Sequence, residues 1–255
     1  MYKCRWVLKF RAPVIICLAL SLGSIIGANK TTGEPSDSSA DDLVSSSFDA
    51  LDSKQTVTNE FQQLFASVTK QLSNRQEKYI NDPIAFHGFL TSTVIGLWDS
   101  SSTTRALVGR KNYEGLRQKQ QTALINAVNK TLIRYAFEGL ESYSGQIFEV
   151  DDVVINEEKG MGWVQVLMVS PVIPDINLDL LIKRISGGVW RAVDVRVKGI
   201  TYVAIKKNKY RDMLEEKGFD SLLMNLADKN IEYFMTVCES AGIKKMNDQK
   251  GKEPC

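Results

Sequence analysis

The chain has 255 residues, 44% of them hydrophobic and 24% charged, with a formal net charge of +2. This composition excludes both a disordered chain and a polytopic membrane protein, and allows one medium domain with an appendage. With residues 1–28 set aside, 28 basic side chains stand against 30 acidic ones, a balance that argues against nucleic acid as a partner. His87 is the only histidine, which removes the usual general base, any nucleophile dyad with a spare histidine, and multi-histidine metal sites.

Residues 1–28 read as an export signal. Lys3, Arg5, Lys9 and Arg11 precede an apolar run from Ala12 to Ala28 that ends in the small pair Gly27-Ala28. Cleavage is expected after Ala28; left uncleaved, the same run is a membrane anchor, slightly short of the ~20 residues a span takes. Either way the remainder is exported. Residues 29–55, rich in Ser, Thr, Asp and Gly around Glu34-Pro35-Ser36-Asp37, have the composition of a flexible spacer. The folded domain is expected over 56–238, followed by a disordered tail over 239–255. Cys238 and Cys255 can pair in an oxidising compartment or stay as free or intermolecular thiols, and no second ligand pair makes a zinc site of them.

Within the domain, Phe61, Leu64, Phe65, Val68 and Leu72 form one stripe of an amphipathic helix, with Thr56 or Thr58 as its cap. Asp82-Pro83 caps and opens a second helix running to about Trp98. A short third helix is expected over Thr103 to Arg110, and a long fourth over Glu114 to Tyr143, apolar around more than half its circumference and therefore held between layers. At Ser144-Gly145 the period falls to two. Gln146 to Ile155, Trp163 to Ser170, Ile176 to Ile185 and Val189 to Val197 read as four strands joined by short turns, an antiparallel meander. A helix from Ile200 to Leu214 ends at Lys217-Gly218, and Asp220 caps a last one, with Phe219 stapled against Met224. The fold class is α+β: a single domain with a four-stranded antiparallel sheet packed by about six helices.

Several strands are apolar on both faces, most clearly Trp163 to Val169 and Leu178 to Ile182. In the last strand, alternation places Val189, Val193, Val195 and Val197 on one face and Trp190, Asp194 and Arg196 on the other. Such strands are either covered completely by helices, or line a pocket for an apolar ligand. The pairs Asp151-Asp152 and Glu157-Glu158 read as solvated turn residues and not as a metal site. Lys206-Lys207-Asn208-Lys209-Tyr210-Arg211 is a basic run on a helix, either a solvated face or a surface that attracts anionic lipid headgroups. A hydrolase built on carboxylates such as Asp151 or Asp179 lacks a recognisable nucleophile motif.

Four motifs in order carry a resemblance: Leu140-x-x-Tyr143-x-Gly145-Gln146; Trp190-x-x-x-Asp194 with Gly199-Ile200-Thr201; Asn208-x-Tyr210; and Lys217-Gly218-Phe219-Asp220-x-Leu222. From about Asp82 to Leu226 the chain resembles the MlaC, or toluene-tolerance, family, with Thr201 where that family usually has serine. The resemblance implies a curved sheet of the nuclear-transport-factor kind. It also implies a monomeric periplasmic phospholipid carrier, not an enzyme, with a carried phospholipid and no cofactor or metal. Its implied partners are the substrate-binding component of an inner-membrane ABC transporter and an outer-membrane lipoprotein complex. A carrier's wall must be dry and aliphatic. Candidates are Val164, Val166 and Met168 in one strand, Leu178, Leu180 and Ile182 in the next, and Val193, Val195 and Val197 in the last. Leu132 and Phe137 join them from the long helix, and Ile200 from the expected mouth. A binding or scaffold module of the same fold, anchored at the inner membrane and with a filled core, is the alternative.

Overall fold

The computed structural model describes residues 40–140, 143–172 and 174–240; the expected leader, Cys255 and the tail beyond Ser240 lie outside them. Helix α1 spans Ala40–Asn81, α2 Pro83–Leu97, α3 Ser100–Val108, α4 Arg110–Gly115 and α5 Gln118–Leu140. Strands β1 (Ile147–Asn156), β2 (Met161–Val169), β3 (Ile176–Arg184), β4 (Trp190–Val197) and β5 (Ile200–Thr201) follow, and α6 (Tyr202–Ser240) ends the described chain. The class is the expected α+β, with a curved antiparallel sheet in the order β1-β2-β3-β4-β5. Among the described residues no helix is long and apolar enough to cross a membrane.

Helix α1 starts earlier than its apolar stripe suggests, so the spacer expected over 29–55 overlaps it from Ala40 onward. No glycine or proline interrupts the chain between Ala40 and Asp82, and a Ser/Asp-rich stretch without breakers can continue a helix that is anchored further on. That anchor is the buried line of Val57, Phe61, Phe65, Leu72 and Tyr79. Asp82 caps α2 by accepting from the Ala85 N–H at 2.9 Å, with Pro83 in the first turn, as expected. Asp99 does the same for α3, accepting from the Ser102 N–H at 3.0 Å, and moves its start back from the predicted Thr103 to Ser100. The predicted long helix is divided: α4 stops at Gly115, Leu116 is extended, and α5 begins at Gln118.

The sheet carries a fifth strand where the sequence placed a helix start. Lys198 and Gly199, at φ 50° and 83°, make a two-residue turn with both central residues at positive φ, the geometry that suits a tight hairpin. Ile200 therefore pairs with Val197, and α6 begins only at Tyr202. The break at Gly218 falls where expected, at φ 82° and ψ 172°. Met224 is exposed, so the staple is not made; Phe219 and Leu223 pack on the interior instead.

β4 also departs from the strict alternation expected of it. Asp194 pairs with Leu181 and Ala192 with Ile182, which leaves Val193 as a bulge. The extra residue reverses the alternation. Trp190 and Ala192 consequently lie with Val195 in the same apolar cluster, and not with Asp194 and Arg196. A similar shift between Val150 and Asp152 keeps Val150 and Val153 together on the packed face of β1. On the outer face Arg196 donates to Asp179 at 2.8 Å and lies 4.1 Å from the Trp163 ring centroid; the candidate hydrolytic carboxylate is thus held in an ion pair.

Because β5 pairs only with Arg196 and Val197, most of β4 would be an open edge. The α2–α3 junction covers it. Trp98 bridges to Ala192, the Asp99 N–H donates to the Ala192 carbonyl at 2.8 Å, and the buried Thr103 hydroxyl donates to the Val193 carbonyl at 2.6 Å while accepting from Trp98 Nε1. Beyond the bulge, Asp194 accepts from the N–H groups of Val195 and Val203, and so ties β4 to the first turn of α6.

The break at Gly218 and the buried carboxyl of Asp194 each have a measurable effect on stability. An added Cβ at Gly218 would meet no atom within 4 Å, so Gly218→Ala isolates the backbone term: at this φ and ψ it should destabilise by about 1–3 kcal/mol. Gly88, exposed within α2 and equally unobstructed, should instead gain about 0.5–1 kcal/mol as alanine. Urea denaturation of both variants checks the opposite signs. The second effect concerns pH. Burial pushes the Asp194 carboxyl above its ordinary value, against the pull of the Val203 N–H, the Thr201 hydroxyl and the Val195 and Tyr202 N–H groups. The folded chain then keeps this proton to a higher pH than the unfolded chain does. Its contribution is complete below the unfolded-state value and is lost as pH rises through the folded-state value. Asp194→Asn, which cannot ionise, should gain on the wild type as pH increases from about 3 to about 7; a constant difference in urea midpoint across that range would contradict the assignment.

Candidate functional site

Three apolar clusters form the interior. The first joins Val57, Phe61 and Phe65 of α1 to the sheet; the second joins α3, α5 and α6 around Leu107, Leu124 and Leu226; the third is aromatic, with Phe86, Phe89, Phe137 and Phe234 among its members. Few side chains bridge them. Trp98 and Val195 touch the first and second, Phe148 the first and third, and Val94 the second and third.

The twelve candidate wall residues are distributed over these clusters. Val164, Val166, Leu180 and Ile182 are 0–3% exposed in the first, with Leu178 and Val195 packed at its margin. Met168, opposite Phe148 and Ile176, is half-buried. Val193 is the buried bulge residue, and Val197 and Ile200 are exposed on either side of the final hairpin. Leu132 belongs to the second cluster. Phe137 belongs to the third, 4.6 Å from Phe86 and 5.6 Å from Phe234 between ring centroids.

A cleft of about 40 Å³ opens instead between α5 and α6, and none of the twelve lines it. Its residues come as three helical stripes: Thr131, Arg134 and Tyr135 from α5; Lys206, Lys209, Tyr210 and Met213 from α6 before Gly218; and Leu222, Asn225, Leu226 and Lys229 after it. Counted from the first residue of each stripe the others follow at three, four or seven, the period that puts side chains on one face. The break at Gly218 lets both halves of α6 contribute to one opening.

Arg134 is the best-fixed cation of this cleft. Its Nε donates to Asn230 Oδ1 at 3.0 Å and its Nη1 to Glu138, and its Cζ lies 4.4 Å from the Tyr135 ring centroid. Asn230, which is buried, also donates to the buried Thr131 hydroxyl. Lys206 Nζ approaches the Tyr135 ring from 5.6 Å. Desolvation, followed by the neighbouring Lys209, pushes the Lys229 ammonium below its ordinary value, and Lys206 and Arg134 add to this. Beneath them burial raises the Tyr210 phenol to about 12 and the Tyr202 phenol further still, with their hydroxyls 3.3 Å apart. Both phenols are therefore neutral, and four cations above a neutral aromatic floor make this a site for negative charge.

Of the basic residues in the run Lys206 to Arg211, Lys206 and Lys209 line the cleft, with Tyr210 beside them; Arg211 turns to the Ala106 carbonyl beside Gly109. Arg134, Asn225 and Lys229 were not legible as site residues. One signal was available: Arg134 interrupts the most apolar stretch of α5, and Asn230 falls on the buried line Leu222, Leu226, Asn230, Phe234. A polar residue on a core stripe needs a partner, and here the two supply each other. Asp152 and Glu157, considered above for a cation, hold Lys54 and Arg184.

Among solved structures, the fold is similar to that of a phospholipid-binding protein from Ralstonia solanacearum, determined in complex with a phospholipid. The TM-score is 0.53 at 18% identity, over 66% of this chain and 97% of that one. The sheet, its flanking helices and the ordered motifs agree with a match of residues 62–228 to the family model described as MlaC protein, and this chain belongs to that family.

Proposed function

We propose that this protein carries phospholipid through the periplasm, receiving or delivering it at an outer-membrane lipoprotein complex and at the substrate-binding component of an inner-membrane ABC transporter. It is exported by its N-terminal signal, acts as a monomer, and performs no chemistry on its cargo. Membership of the MlaC family is the observation that carries this reading. The likeness of fold to a protein that binds a phospholipid supports it.

Two acyl tails with about 30 methylenes would cost on the order of 24 kcal/mol to expose, at ~0.8 kcal/mol each. A carrier must return most of that free energy from a dry wall. The cleft of about 40 Å³ falls far below the roughly 300–1,000 Å³ of a typical ligand pocket, so it does not house the tails, which this reading places between the apolar clusters. The seam at which those clusters meet, marked by Val195, Trp98, Val94 and Phe148, is where the fewest side chains need to move. Release then requires docking that stabilises the parted form, since a ligand shifts such an equilibrium only by its differential affinity.

The close packing of Val164, Val166, Leu180 and Ile182 favours a second reading, a binding or scaffold module with a filled interior. Mass spectrometry of an organic extract of the purified mature chain separates the two. Stoichiometric phospholipid is expected; a folded protein that yields none points to the filled module. Val195→Asp, at the half-buried seam, should lose the lipid and keep a native circular dichroism spectrum. Leu180→Arg, inside the first cluster, should unfold the chain; lipid retained at full stoichiometry in folded Val195→Asp would count against the seam.

A further inference from the structure

The cationic cleft has a chemistry that tail binding does not require. Four cations line it, Arg134, Lys206, Lys209 and Lys229, and no carboxylate does. Glu138 takes one edge of Arg134, and among the described residues Lys206, Lys209 and Lys229 enter no ion pair. Gathering like charges on two packed helices opposes folding unless something negative joins them. Desolvation is the first cause that pushes the Lys229 ammonium below its ordinary value, and the neighbouring Lys209, Lys206 and Arg134 add to it.

Arg134 is built into place. Its side chain is 12% exposed, and its orientation depends on Asn230, which is 5% exposed and in turn held by Thr131, 2% exposed. Two polar residues have been placed on core stripes, where burial is costly without hydrogen bonds, and together they fix the guanidinium at the cleft. With Nε given to Asn230 and Nη1 to Glu138, the guanidinium turns Nη2 to a further acceptor, a charged donor held in place for a phosphate oxygen. The volume agrees in scale: about 40 Å³ admits a few water-sized groups, which suits a phosphate and excludes an acyl tail. The floor of Tyr210, Leu222 and Leu226 is amphipathic, as an ester of phosphate with an apolar body would need.

We propose that the cleft between α5 and α6 is a binding site for a phosphate group, clamped by Arg134 and held by Lys206, Lys209 and Lys229. Its source is a phospholipid headgroup or a free phosphate. The site goes beyond the carrier reading, since it stands on these residues whether or not tails occupy the interior.

The test is isothermal titration calorimetry with thermal unfolding, at constant ionic strength, on the mature chain before and after detergent delipidation. The probes are inorganic phosphate and soluble dihexanoylphosphatidylglycerol. Both should bind the delipidated chain and raise its melting temperature. Tighter binding of the lipid identifies a headgroup site, and equal or tighter binding of inorganic phosphate a free-phosphate site. The double variant Lys206→Gln/Lys229→Gln should weaken either probe by about tenfold or more, while its probe-free melting temperature stays at or above the wild-type value because repulsion has been relieved. Arg134→Lys should weaken binding because one ammonium cannot keep the Asn230 and Glu138 anchors and still present a donor at the cleft. Failure of both probes to bind, equal binding by wild type and double variant, or tighter binding of polyglutamate than of either probe would each overturn the proposal. The organic extract of the same preparations keeps the readings apart: lipid without phosphate binding removes this site alone, and phosphate binding without lipid removes the carrier reading alone.

Discussion

The bulge at Val193 allows β4 to hold Trp190 and Ala192 against α1 while Asp194, one residue beyond it, reaches the N–H groups that start α6. With strict alternation Trp190 would share the outer face with Asp194, and the first cluster would lose its largest side chain. The same stretch of backbone receives the α2–α3 junction through Ala192 and Val193, which closes the edge that the two-residue β5 leaves open. One strand therefore positions α1, α2, α3 and α6 at once. The interior can be divided into three clusters without the helices losing their places.

That division shapes the chemistry available. A single undivided core would have no internal boundary, whereas these clusters meet at a seam marked by Val94, Trp98, Phe148 and Val195, the seam that the proposed function uses. Between α5 and α6 the cleft collects positive charge over neutral tyrosines. Apolar seam and cationic opening belong to different residues: aliphatic and aromatic side chains from strands and inner helix faces for one, and the adjoining faces of α5 and α6 for the other. An amphiphile with a phosphate head requires both kinds of surface, and membership of the MlaC family gives the pair of them a common purpose under the proposed function.

Polar residues within the core follow a consistent logic. Thr103 joins a helix to a strand carbonyl, Asp194 joins a strand to a helix start, and Thr131 and Asn230 join α5 to α6 and orient Arg134. Each satisfies a group whose burial would otherwise be costly, and each lies where two elements meet. Hydrogen bonds with fixed geometry specify that meeting more narrowly than aliphatic contact can.

Much of this was already legible in the residues. The change of period at Ser144-Gly145, the meander, the Asp82-Pro83 cap and the Gly218 break are local, written in spacing and in the dihedral preferences of proline and glycine, and so they could be read without a fold. The ordered motifs from Leu140 to Leu222 indicated the family for the same reason. What the tertiary structure alone decided was relational. The early start of α1 depends on its anchoring downstream; the bulge at Val193 depends on which face must be filled; β5 depends on the hairpin that pairs Ile200 with Val197. The cleft is the clearest case. Arg134 lies 72 to 95 residues from Lys206 and Lys229 in the chain, and periodicity describes only the face a residue shares with its neighbours along one helix. Which two faces are brought together is set by packing between elements, and no local pattern records it.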